Sequence, residues 1–266
     1  MRWQGPSPFR CSSMELSYEV LGLLFLAALM AGWIDAIAGG GGLITIPALL
    51  LAGLPPAMAL ATNKLQGSSG TLTAATYFIS RGMVSVRANI LPIIAISLGS
   101  IFGGWVLQQI NAELLVLFIP LLLVSIGLYF LFFARNLDEE RAPRMSAERY
   151  AVTAAPALGF YDGFFGPGTG SFSSTSLVLL RGMTIRNATA HAKLFNLTSN
   201  LGALFYFILF GQIAWVAGGV MVLGQMAGAY LGAHFAFKGG ARIIRPVTVI
   251  VCFAMSIRVL ISVWPW

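Results

Sequence analysis

Charge is scarce in this chain. Only 9% of its 266 residues are Asp, Glu, Lys or Arg, where a soluble domain carries about 25%. With 58% hydrophobic residues there is no polar face large enough to meet water all round, which excludes an ordinary water-soluble fold. Cysteine is nearly absent. Cys11 and Cys252 are far apart, which excludes a disulfide framework and a zinc cluster. Two histidines are too few for a His-rich metal site, so neither a metal nor a cofactor is expected. HExxH is missing, as is a Ser/His/Asp set near the polar motifs, and no enzyme activity is expected. The formal net charge of +7 could suggest nucleic acid. The cations, however, sit in short connections between apolar segments, as in cytoplasmic loops of membrane proteins, and no nucleic-acid partner is expected. Residues 1–13 lack the ordered regions of a cleaved signal peptide and read as a disordered tail, with Met1 or Met14 as the start.

What is abundant is long apolar sequence. Segments fall at about 16–38, 43–52, 57–79, 88–108, 113–133, 150–166, 171–180, 187–209, 214–236 and 242–263. A helix crosses a hydrocarbon core of roughly 30 Å with about 20 residues, so the expected class is an all-α membrane protein of about ten helical segments. The segments 43–52 and 171–180 are too short to span. Unpaired backbone groups cannot face lipid, so short pieces must be buried in protein or line a cavity.

The chain also repeats itself. Gly32-Trp33-Ile34-Asp35 matches Gly159-Phe160-Tyr161-Asp162, Lys64-Leu65 matches Lys193-Leu194, and Tyr77-Phe78 matches Tyr206-Phe207. Gly99 and Gly103 match Gly228 and Gly232; these GxxxG spacings suit close helix packing. The expected organisation is a first transmembrane repeat at 14–134, a cytoplasmic linker at 135–149 and a second repeat at 150–266. Arg81 and Arg87, Arg135 to Arg149, Arg181 and Arg186, and Lys238, Arg242 and Arg245 follow alternate segments, whereas the intervening connections carry no Lys or Arg. By the positive-inside rule the basic connections are cytoplasmic. Five segments per half, with matching loops of opposite charge bias, predict two inverted repeats. The alternative is eight spans, as 4+4 with two re-entrant pieces.

Ionisable residues within the bilayer are the first place to look for function. Asp35, Lys64, Asp162 and Lys193 form two repeat-related pairs. Each Lys falls in the first two turns of a long segment that follows a short one. A helix N-terminus offers free N–H groups and a positive dipole end to an anion, and a Lys adds full charge. Thr62, Asn63, Gln66, His191 and Asn196 could supply directed hydrogen bonds, and backbone N–H groups at Gly40, Gly41, Gly168 and Thr169 could touch an anion at the hairpin tips. The other reading is structural: each Lys snorkels or pairs with an Asp. Asp35 and Asp162 are candidates for proton coupling or for holding the hairpins. The glycine runs precede no Gly-Lys-Ser/Thr, which excludes a nucleotide-phosphate loop.

The motif Asp35-x-Ile37-Ala38-Gly39-Gly40-Gly41-Gly42-Leu43-Ile44, then Pro47, then Ala61-Thr62-Asn63-Lys64-Leu65, resembles the sulfite exporter TauE/SafE family (the TSUP superfamily). In the second half Gly159-x-x-Asp162-Gly163-Phe164-Phe165-Gly166-Pro167-Gly168-Thr169-Gly170 and Ala192-Lys193-Leu194-x-Asn196 fit the same pattern. The resemblance covers about residues 16–264 and implies transport of a small sulfur-containing anion, sulfite or an organosulfonate. The residues by themselves reach only "anion". Together they predict a secondary transporter in the cell inner membrane, working by alternating access with ion or proton coupling, its candidate partners a small anionic substrate, membrane lipid and a second copy of itself. A passive anion channel and, less favoured, a membrane-embedded enzyme are the alternatives.

Overall fold

A computed structural model describes residues 16–111, 114, 125 and 142–237. The apolar segment 113–133 apart from residues 114 and 125, the segment 242–263, the tail 1–13, linker residues 135–141 and the cations Lys238, Arg242 and Arg245 lie outside them. The described chain is helical, with no strand among the described residues.

Local chemistry sets the helix ends. Helix α1 (Tyr18–Ala38) starts at Ser17, whose hydroxyl accepts the Val20 N–H, and stops at Gly39, where φ is 76°. A left-handed residue after a helix is ordinarily glycine. Helix α2 (Gly42–Leu51) has 10 residues, about 15 Å of rise, half of what a span needs. Helix α3 (Pro56–Ser80) carries proline at its first turn, where the missing N–H costs nothing. Helix α4 (Ile90–Gln108) follows a short 3₁₀ turn. After residue 142 come α5 (Ala147–Val152), α6 (Ala154–Phe164), α7 (Thr169–Arg181), α8 (Ile185–Phe210) and α9 (Trp215–Phe237). Helices α1, α4, α8 and α9 are long and apolar enough to cross a membrane. Helix α3, at 25 residues, matches them in length but is more polar. Its polar residues Thr62, Asn63, Lys64, Gln66, Ser68 and Thr71 are buried in the protein, so lipid never meets them.

The apolar segment expected at 150–166 is not one helix. It breaks at Thr153 (φ −121°, ψ −73°) between α5 and α6. Pro156 is the reason: it has no N–H for the Val152 carbonyl, and its ring would clash with that group in a continuous helix.

Helix α1 packs along α9, and α6 along α4. Glycine permits both contacts. A Cβ on Gly32, Gly228 or Gly232 would strike backbone of Gln225, Leu29 or Trp33. A Cβ on Gly159, Gly99 or Gly103 would strike backbone of Ile96, Pro156 or Phe160. The second set is the first moved to the repeat-related residues, so α1 meets α9 as α6 meets α4.

Two apolar clusters flank a polar stretch. One holds Leu60 and Ala61 of α3 with Ala203, Tyr206 and Phe207 of α8. The other holds Ala74 and Phe78 of α3 with Ala192, Leu194 and Phe195 of α8. Between them lie Asn63 to Thr71 on α3 and Asn196 to Asn200 on α8. Helix α3 therefore runs from the first cluster to the second, and α8 runs back.

Candidate functional site

Helices α1 and α6 each end in an acid: Asp35 lies in the last turn of α1 and Asp162 in the last turn of α6. Each is met by the lysine of the other half. The Lys64 ammonium lies 2.9 Å from Asp162 Oδ1, with both side chains almost fully buried. The Lys193 ammonium donates to the main-chain carbonyl of Asp35. One lysine thus takes a carboxylate and the other a peptide oxygen. Isolated buried charges cost several kcal/mol each, so these contacts hold the centre together.

The surrounding turns are shaped to allow this. Gly166 has φ 100°, and a Cβ there would lie 2.6 Å from Lys64 Nζ and 3.1 Å from Asp162 Oδ1. The Thr169 hydroxyl, 2.9 Å from Asp162 Oδ1, can donate to it. On the other side Asp35 Oδ1 accepts the Gly41 N–H at 3.2 Å. The two hairpin tips touch backbone to backbone: a Cβ on Gly170 would lie 2.5 Å from Gly39 Cα, and the Ser171 hydroxyl donates to the Ala38 carbonyl.

Beside the tips is a polar cavity lined by Asp35, Gly39, Gly42, Asn63, Gln66, Gly67, Thr71, Asp162, Gly166, Gly168, Asn196, Asn200 and Gln225. It offers about 20 Å³, enough for a water but not for an oxyanion of four or more heavy atoms. Asn63 is tied down within it. Thr45 donates its hydroxyl to Asn63 Oδ1 at 2.6 Å, and Gln66 Nε2 donates to Asn63 Oδ1 at 2.6 Å and to Thr45 Oγ1 at 3.1 Å. Asn200 Nδ2 donates to the Asn196 carbonyl at 2.7 Å.

Of the residues singled out from sequence, the structure gathers Asp35, Asn63, Lys64, Gln66, Asp162, Gly168, Lys193 and Asn196 at or directly behind this cavity, with Gly41 and Thr169 bonded to its acids. Others are elsewhere. Thr62 Oγ1 accepts the Ala214 N–H at 3.0 Å and pins the start of α9. His191 is half-buried, packed edge-on against Phe195, with Nδ1 2.9 Å from the Asn187 carbonyl of its own helix. The Gly40 carbonyl accepts the Leu43 N–H, and Gly40 does not line the cavity. The helix starts also differ. Lys64 is the ninth residue of α3 and Lys193 the ninth of α8, in the third turn, because Pro56 and Thr184 start those helices earlier than the apolar pattern does. The helix N-termini near the cavity are instead those of α2 and α7, where Asp35 takes the Gly41 N–H and the Gly166 carbonyl takes the Thr169 N–H. Sequence reasoning passed over Thr45, Thr71, Asn200 and Gln225. A signal existed for Gln225, a side-chain amide in the middle of the apolar run 214–236; the search for ionisable groups did not register it.

The fold and site define a polytopic helical membrane protein with a buried, internally balanced charge centre. The family profile described as "Sulfite exporter TauE/SafE" matches residues 24–259, and the chain belongs to that family. It is 47% identical over 249 residues to "Probable membrane transporter protein YfcA" of Escherichia coli K12, covering 94% of this chain and 93% of that protein. It is 46% identical over 245 residues to a "Probable membrane transporter protein" of Haemophilus influenzae, covering 92% and 96%. It is 26% identical over 219 residues to "Probable membrane transporter protein YdhB" of Bacillus subtilis, covering 80% and 87%. No solved structure matches the chain.

Proposed function

We propose that this protein is a secondary transporter of a small anion, sulfite or an organosulfonate, in the cell inner membrane. The observation that carries the reading is the crossed arrangement of two buried lysines, each held by the acid-bearing helix end of the opposite half. Such a centre can exchange partners: an entering anion takes the ammonium of Lys64 from Asp162, as one anionic ligand replaces another. The N-termini of α2 and α7, which begin at Gly42 and Thr169, add positive dipole character. Asn63 and Asn196 lie beside them.

The wider architecture we assign is two inverted repeats of five segments, with the linker cytoplasmic. The opposite runs of α3 and α8 between the same two apolar clusters support inversion, as does the swapped charge bias of the loops. Alternating access follows if one half rocks against the other about the Gly39–Gly170 contact, opening first one apolar cluster and then the other. The small cavity flanked by apolar clusters favours this over a passive channel, which needs a continuous polar path.

The test is ligand binding by the purified chain. Sulfite, sulfate, sulfoacetate, taurine and toluenesulfonate are compared for their effect on melting temperature, since a ligand that binds only the native state stabilises it by mass action. Saturable stabilisation by one sulfur oxyanion is expected. The same melting temperature with every anion at matched ionic strength contradicts the reading.

A further inference from the structure

Three side-chain oxygens in the cavity lining are left without a partner. Gln66 Oε1, Asp162 Oδ2 and Gln225 Oε1 are buried and have no hydrogen-bond partner among the described residues, and the one such donor, Lys64 Nζ, has its ion pair with Asp162 Oδ1. All three residues line the same small cavity, and each is about 1% exposed. The orientation of Gln66 is constrained. Both N–H groups of Gln66 are spent on Asn63 and Thr45, so turning its amide over would set oxygen against oxygen. The absence of a side chain on Gly70 makes room for Gln225, since a Cβ there would lie 2.7 Å from Gln225 Nε2. Buried acceptors left unpaired cost about 1–3 kcal/mol each.

We propose that this cavity binds one small monovalent cation of sodium size, ligated by the side-chain oxygens of Gln66, Asp162 and Gln225. Hard cations take oxygen ligands, and a bare sodium ion fits about 20 Å³ where an oxyanion does not. A water has two hydrogens and leaves one of the three oxygens unpaired. A proton sits on one carboxylate and leaves both amide oxygens unpaired. The negative, C-terminal ends of α1 and α6 and the acids Asp35 and Asp162 line the cavity and oppose the positive N-termini of α2 and α7; Lys64 is engaged by Asp162 Oδ1, which leaves Oδ2 for a cation. The site is single: the repeat-related counterparts of Gln66 and Gln225 are Phe195 and Ile96, counted from the Lys64/Lys193 and Gly99/Gly228 matches. The two acids and two lysines sum to zero, so a bound cation leaves the centre with one positive charge, which a monovalent anion cancels. Cation and anion then favour each other's binding. That coupling rests on the transport reading; the cation site itself does not.

The experiment is equilibrium binding of radiolabelled sodium to the purified full-length chain, with melting temperature in sodium chloride and in choline chloride at equal ionic strength. Saturable binding of one ion per chain and a higher melting temperature in sodium are expected. Gln225→Leu, whose counterpart is the apolar Ile96, keeps its melting temperature in choline and loses at least about tenfold in sodium affinity, the effect of about 1.4 kcal/mol. Gln225→Glu retains binding. Equal behaviour in the two salts, an unchanged affinity in Gln225→Leu, or stabilisation that follows pH and not sodium overturns the proposal. Sodium binding without anion transport sinks only the transport reading. Transport with no sodium binding sinks only the cation site.

Discussion

The Lys64 and Lys193 centres come from matching sequence yet are not built alike. Lys64 faces a carboxylate at 2.9 Å, steadied by Thr169. Lys193 rests on the peptide carbonyl of Asp35, whose own carboxylate takes a backbone N–H from Gly41. The lesson is that a duplicated motif preserves which halves meet but leaves the chemistry of each meeting free to drift. The Lys64 side depends on side chains that mutation can remove. The Lys193 side depends largely on main chain, which mutation cannot.

That contrast can be broken most forcefully at the acids. Asp162→Asn strands the Lys64 ammonium in the protein interior and should cost about 3–5 kcal/mol. Asp35→Asn removes a countercharge but still offers Lys193 the same carbonyl and Gly41 an acceptor, and should cost less, about 1–3 kcal/mol. Melting of the two variants in detergent ranks them, and equal losses would mean that the two lysines have equivalent partners. Next in size are the glycines. Gly39→Ala forces a left-handed residue and a Cβ 2.6 Å from the Ser171 backbone nitrogen, which cannot move aside, and should cost about 2–4 kcal/mol. Gly166→Ala is also left-handed, but its Cβ meets the end of a flexible lysine, so about 1–3 kcal/mol is expected. The same melting measurement separates them. The smallest effect is Thr169→Val, which removes one hydroxyl from Asp162 and should lower stability by about 1 kcal/mol. No side-chain change at Gly41 can mimic it on the other side.

Much of the frame was legible beforehand because it rests on physics that acts along the chain. Apolar length located the four described helices long enough to span, glycine runs located the hairpin tips, and the matched Gly99/Gly103 and Gly228/Gly232 pairs located the helix contacts. The four ionisable residues stood out because charge is rare in such a chain. What was hidden depends on the third dimension. Nothing in the order of residues says that Lys64 reaches Asp162 and not Asp35, or that Lys193 takes a carbonyl. Thr62 and His191 looked like site residues from their neighbours in sequence, but the turn of the helix points one at the α9 start and the other at its own backbone. Gln225 was concealed for the opposite reason, being a neutral amide in a stretch judged by hydrophobicity. The break at Thr153 followed from a single proline whose effect a window average does not register.

The central claim is that the crossed lysine–acid centre is the anion's path and more than a brace for the fold. The most direct measurement is uptake of labelled sulfite into proteoliposomes by Lys64→Met combined with Asp162→Leu. Replacing both members of a buried ion pair by apolar residues is often neutral for stability, so the double variant should melt as the parent does. Losing a charge-assisted contact to the substrate, worth about 1.5–3 kcal/mol, should lower transport about tenfold to a hundredfold. Parental uptake by a fully folded double variant would contradict the account.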